Sequence, residues 1–260
     1  MPPTDARYDA YVLCTAPRSG STLLCKLLAA TGIAGNPGSH FHEPSLAEWL
    51  ADYDLPDVPG RPERDTVAAV FAAAIDHGRG GTPVFGLRLQ RHSFAFFSDK
   101  LALLHPEPAG DAARIEAAFG RTLFIHLTRA DKVDQAVSLV RAEQTGLWHR
   151  AADGSELERT APPREPVYDG AAIAAAVAEL TAYDREWAGW FEFEGISPLR
   201  LTYDALAANP AATLATVLNA LGLPPEAARG VTPGVARLAD ATNHDWVRRF
   251  RAERGSVPAA

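Results

Sequence analysis

The sequence predicts an α/β protein with a parallel sheet flanked by helices. Three observations predict it. Near-continuous apolar runs recur at Tyr11–Thr15, Val84–Leu89 and Leu123–Thr128, the pattern of strands covered on both faces. Segments of helical spacing separate them. The first run also passes through a tight turn, Pro17–Thr22, straight into Leu23, Leu24, Leu27 and Leu28 at helical spacing. Strand, turn and helix in that order form the repeating unit of open α/β sheets.

The elements follow in order. The first helix spans about Ser21 to Thr31, and Gly32 stops it. Another starts after Asp65, with Val67, Val70, Phe71 and Ala74 on one face. A helix over Asp131 to about Trp148 opens on an acidic residue, as the positive end of the helix dipole favours. A long alanine-rich helix runs from Asp169 or Gly170 to about Phe193, and its Trp187, Trp190 and Phe191 are core candidates. Leu199–Thr202 is a fourth strand. Asn209-Pro210, a cap followed by proline at the first helical position, starts a helix that Gly222 closes after Leu221. The segments 36–62 and 150–166 look irregular. They are expected to wall a binding site at the carboxyl edge of the sheet, within one domain over 1–260.

The first turn carries the strongest chemical signal. A helix leaves its first backbone N–H groups without intrahelical partners, so they face whatever sits over the turn. Gly20 allows close backbone approach, Ser21 and Thr22 add hydroxyls, and Arg18 adds a fixed cationic fork. Pro17, Arg18, Ser19, Gly20, Ser21 and Thr22 therefore suit a phosphate or sulfate. The Walker A pattern is incomplete. With Gly20 as its last glycine, Thr15 stands at the first glycine and Ser21 at the lysine.

Composition narrows the classes. The 260 residues are 47% hydrophobic and 22% charged, ordinary for one globular domain. A net charge of −7 argues against a nucleic-acid surface, which needs a basic face. A nucleotide site needs only a local knot of arginines, and Arg18, Arg88, Arg91 and Arg129 are available for one. Cys14 and Cys25 both fall at core positions, with no disulfide framework expected. The N-terminus lacks a secretory h-region and no run reaches spanning length, so a cytoplasmic protein without a membrane span is expected. No metal-ligand spacing stands out.

Thr15-Ala-Pro-Arg-Ser-Gly-Ser-Thr-Leu-Leu resembles the 5′-phosphosulfate loop of sulfotransferases that use 3′-phosphoadenosine-5′-phosphosulfate (PAPS). Ala29-Ala-Thr-Gly-Ile-Ala-Gly-Asn-Pro, His126-Leu-Thr-Arg-Ala-Asp-Lys-Val-Asp-Gln-Ala-Val-Ser, Gln144-Thr-Gly-Leu-Trp148 and Asp245-Trp246 narrow the resemblance to the bacterial trehalose 2-sulfotransferase family, over nearly the whole chain. The resemblance implies a P-loop-like sulfotransferase fold, PAPS as donor without a metal, a small hydroxyl acceptor such as a carbohydrate, and a possible homodimer. It assigns Arg129 and Ser138 to the 3′-phosphate. It puts a basic residue at Arg88, which could face the transferred group or pair with an acidic neighbour. It also places a glutamate base where this chain has Ser39. The nearby His42, then Glu43, then His40 are the substitutes, since an imidazole suits deprotonation of a hydroxyl near neutrality. Trp148 could contact acceptor or nucleotide, and the tail from Asp245 could return basic residues over the site. A kinase with a degenerate P-loop and a catalytically inactive nucleotide-binding protein are the alternatives.

Overall fold

The computed structural model describes residues 6–255 apart from 152, 233 and 235–239. Its centre is a four-stranded, all-parallel sheet of β1 (Ala10–Thr15), β2 (Phe85–Gln90), β3 (Thr122–Thr128) and a short strand at Leu199–Thr202, in the order β2-β1-β3-Leu199–Thr202. All four match the expected runs. Alternate residues of β1 serve opposite faces. Ala10, Val12 and Cys14 pack with Phe85, Leu87 and Phe124 under α3 (Glu63–Arg79), α4 (Arg91–Leu104) and α5 (Asp111–Phe119). Tyr11 and Leu13 pack with Ile125 and Leu127 under α1 (Ser21–Ala30) and α9 (Pro210–Leu221). Both cysteines are free and buried.

The order of the strands places a ligand crevice. After β1 the chain crosses to β2, and after β3 it crosses the other way, through α6 (Lys132–Thr145) and α7 (Gly170–Phe193), to the strand at Leu199–Thr202. The two connections diverge from the carboxyl ends of adjacent strands, which is where open α/β sheets bind ligands.

Three expectations need correction. Segment 36–62 is only partly irregular, because it holds α2 (Leu46–Asp52), capped by Ser45, whose Oγ accepts from the Glu48 N–H. Its first part runs along β2, with a bridge from Gly38 to Leu87 and a bond from the Arg88 N–H to the Gly38 carbonyl. That approach explains Gly86, where a Cβ would stand 2.9 Å from Pro37 and 2.6 Å from the Tyr11 hydroxyl. The second irregular segment holds half of an antiparallel hairpin, β4 (Leu147–Arg150) and β5 (Glu156–Arg159). The third concerns the helix expected to reach Trp148. It ends at Thr145, because Gly146 turns left-handed (φ 68°), and Trp148 belongs to β4. Helices α4, α5 and α8 (Tyr203–Ala208) had no counterpart in the sequence reading. With α8 numbered, the Leu199–Thr202 strand is β6 and the terminal helix, Ala241–Gly255, is α10.

Candidate active site

A cavity of about 570 Å³ opens over the carboxyl ends of β1, β2 and β3. Its floor is the Pro17–Thr22 turn. Thr15 Oγ1 bonds the Leu127 carbonyl (3.0 Å) and pairs with the buried Ser19 hydroxyl, while Gln135 Nε2 donates to the Pro17 carbonyl (2.6 Å). Ser19 thus anchors the turn and is the one member of the expected set whose side chain does not line the cavity. Gly20 caps α1 in a left-handed conformation (φ 88°), and a Cβ there would stand 2.6 Å from the Tyr203 ring. Both conformation and space require glycine.

Arg18 also adopts a positive φ, 60°, which a side-chain-bearing residue holds at a cost of order 1–3 kcal/mol. Its guanidinium is fixed where that conformation aims it. Nε donates to Ser138 Oγ (3.0 Å) and Nη1 to the Trp148 carbonyl (2.8 Å). Burial, then the neighbouring Arg129, pull its pKa down to about 10, so it stays charged at neutral pH. Arg129 is buried, donates to the Arg18 carbonyl (3.2 Å), pairs with Asp134 and lies over the Tyr203 ring, 4.2 Å from its centroid. Arg88 has no acidic partner among the described residues. Its Nε donates to Ser39 Oγ (2.7 Å) and its Nη1 to Thr22 Oγ1 (2.6 Å). Arg91 lies outside the knot, paired with Glu186 (3.0 Å) against Phe94 and Trp187.

The candidate bases separate. His42 and Glu43 line the cavity, with His42 Nε2 3.6 Å from Glu43 Oε1 and His42 Nδ1 buried without a hydrogen-bond partner. His40 does not face the cavity. Its ring packs on Phe85 and His77, Nε2 meets the Asn36 carbonyl (3.2 Å), and burial lowers its pKa to about 4. It is a core histidine, and the expectation of a base there is dropped.

Several lining residues had escaped the sequence reading. His149 of the hairpin shares a hydrogen bond with Thr22 (3.0 Å), and burial, then Arg18 and Arg88, lower its pKa to about 3. Tyr203 follows β6, Gln90 ends β2 and His92 follows it, so their positions at strand carboxyl ends could have flagged all three. Glu143 on α6, with Glu179 and Tyr183 on α7, also line the cavity, and nothing local marks them. The tail helix contributes Asn243 to the wall. Its arginines are engaged elsewhere, Arg251 with Asp131, Arg249 with Glu253 and Arg248 with Asp245.

Residues 10–253 match the Stf0 sulphotransferase family. The chain belongs to that family. It is 34% identical over 263 residues to the trehalose 2-sulfotransferase of Mycobacterium tuberculosis, covering 94% of each chain. It is 31% identical over 276 residues to that of Mycolicibacterium smegmatis, covering 96% of this chain and 97% of the relative. The sulfotransferase domain of the Synechococcus PCC 7002 olefin synthase aligns with 96% of this chain and 89% of its own, at 16% identity and a TM-score of 0.47. The protein is a sulfotransferase enzyme, and the kinase alternative falls away. Among the described residues no helix is long and apolar enough to cross a membrane.

Proposed function

We propose that this sulfotransferase moves the sulfuryl group of PAPS to a hydroxyl of a carbohydrate or related small metabolite. One observation carries the reading. Two guanidiniums, Arg18 and Arg88, converge at the open N-terminus of α1 with no carboxylate paired to either among the described residues, and Arg129 joins them from the next strand end. Like charges held together without a counterion make a cradle for a polyanion. The residues fit PAPS, which has a phosphosulfate at one end and a 3′-phosphate at the other.

The donor supplies an activated sulfuryl group on a phosphate leaving group, and the chain's residues do the rest. Pro17–Thr22 holds the phosphosulfate with backbone N–H groups and Arg18. Arg88 and Thr22 face the charge that builds on the leaving oxygen. Arg129 and Ser138 take the 3′-phosphate, and Ser138 also accepts from Arg18. His42, with Glu43 behind its Nε2, accepts the hydroxyl proton as the acceptor oxygen bonds to sulfur and the bond from sulfur to the phosphate oxygen breaks. Ser39 supplies no base, and its hydroxyl instead holds Arg88. The relatives' acceptor, trehalose, belongs to the carbohydrate class proposed here.

The test is calorimetry with 3′-phosphoadenosine-5′-phosphate (PAP) and AMP, on wild type and Arg129→Ala. Wild type is expected to prefer PAP, and the variant to lose most of that preference. Equal loss for both nucleotides would remove Arg129 from the 3′-phosphate site, and no PAP binding by wild type would remove the donor assignment.

A further inference from the structure

The cavity that holds the cationic turn also carries unpaired carboxylates. Glu43, Glu143 and Glu179 line it, and none is paired with a lysine or arginine among the described residues. Glu179 accepts from the Tyr183 hydroxyl (2.7 Å), which fixes its position on α7. Glu143 stands close enough on α6 that the charge of Glu179, after burial, raises its pKa. His92, which feels the charge of Glu43 and Glu179, does not neutralise the group. The His92 pKa is lowered, first by burial and then by His42.

A second observation is independent of the carboxylates. Gln90, at the carboxyl end of β2, is only 9% exposed, yet its Oε1 is buried without a partner on the wall of the same cavity. A buried carbonyl oxygen left unbonded is costly, and a donor from a ligand would relieve that cost. A neutral sugar ring could bond Gln90, but it would leave two neighbouring carboxylates without a counter-charge. Nor do the side chains suit a metal, since among the described residues no three of His, Cys, Asp and Glu converge as ligands.

We propose that the acceptor is an amine-bearing sugar or amino polyol, whose protonated ammonium sits between Glu143 and Glu179 while Gln90 accepts from a neighbouring hydroxyl or N–H. The cavity then reads from a cationic donor end to an anionic acceptor end. The hydroxyl to be sulfated is carried past His42 by a charge anchored on α6 and α7. This inference rests on the sulfotransferase reading above and specifies its acceptor.

The experiment uses the full chain saturated with PAP. Glucosamine, 2-deoxystreptamine and neamine are titrated by calorimetry, each beside its fully N-acetylated form, with magnesium chloride as a separate arm. At least one free amine is expected to bind about tenfold or more tightly than its acetylated form, the scale of one charge-assisted hydrogen bond. The Glu143→Gln/Glu179→Gln double variant is expected to erase that ratio, and PAP affinity in the same variant reports whether it has folded. Equal binding of amines and amides, no amine binding, or saturable binding of magnesium that blocks the amines would each overturn the proposal. Absence of PAP binding would instead bring down the donor assignment beneath it, so the two failures are distinguishable.

Discussion

The two ends of the cavity are assembled in different ways. The donor end is made by short stretches of chain at the ends of neighbouring strands. The β1–α1 turn supplies Arg18, Gly20 and Thr22, β2 supplies Arg88, and the residue after β3 is Arg129. β1 and β3 are paired on both sides, and the edge strand β2 is held by β1 and by the bridge from Gly38. The acceptor end is made by packing, from the chain before α2 and facing sides of α6 and α7, while the hairpin bonds the donor turn through Trp148 and His149. The donor end gathers three arginines, of which Arg18 and Arg88 have no paired carboxylate among the described residues, whereas the other end gathers carboxylates without a lysine or arginine. One enzyme family can keep the first end and alter the second without disturbing the sheet. Ser39 bonded to Arg88, where the resemblance puts a glutamate, is such a change at the boundary between them.

The largest expected effect tests whether chemistry lies at that boundary. With a turned-over acceptor, His42→Asn is expected to lower kcat by about 10²–10⁴-fold, the usual worth of a positioned general base, with PAP affinity retained. Turnover within a few-fold of wild type would transfer the proposed role to Glu43, and a matching loss of PAP affinity would mean that the two ends are not separable.

Arg18→Ala probes the donor end alone. It removes two charge-assisted bonds from the turn and a cation from the cradle. At about 1.5–3 kcal/mol for a bond to a charged group, PAP affinity should fall by about 10–150-fold, measured by calorimetry. An unchanged affinity would show that the phosphosulfate does not sit on this turn. Arg18→Lys should recover only part of the loss, because an ammonium cannot span Ser138 and the Trp148 carbonyl as the planar fork does.

The same difference explains what could be read from the sequence. The four parallel strands announce themselves because burial on both faces leaves only apolar residues, and the donor turn because strand, glycine, hydroxyls and helix are consecutive. Arg88 and Arg129 follow from their places near strand ends. Helix α2 was readable in principle, since Ser45 and Glu48 have capping spacing and Leu46, Trp49 and Leu50 share a face. The surrounding prolines and glycines obscure it. The hairpin gives almost no signal. Its strands are four residues each, β5 being Glu-Leu-Glu-Arg, too short and polar for period-two alternation to register. Glu143 and Glu179 look like ordinary solvated helix positions until α6 and α7 pack together. The core position of His40 is not legible locally, because its burial depends on Phe85 and Gly78, roughly forty residues away in sequence.

The smallest expected effect uses protons to compare the cavity with the core. His40 and His126 are held neutral by burial, both with pKa values lowered to about 4, and neither lines the cavity. His149 lines it, with a pKa of about 3 that owes part of its depression to Arg18 and Arg88. Unfolded, each would titrate near pH 6.5. Between that value and the folded value the unfolded chain binds more protons, so stability falls as pH falls through this window. Thermal unfolding between pH 7 and pH 5 should therefore show a declining Tm in the ligand-free protein, above the range where the carboxylates titrate. PAP should act on one histidine of the three. By placing negative charge against Arg18 and Arg88 it removes their contribution, while burial remains. The pKa of His149 should rise part of the way back, and those of His40 and His126 should not move. NMR titration of the imidazole C–H signals, with and without PAP, reads this directly. Equal shifts at all three would point to a global change on binding. A His149 that already titrates near pH 6.5 in the free protein would mean that the hairpin does not close over the donor turn.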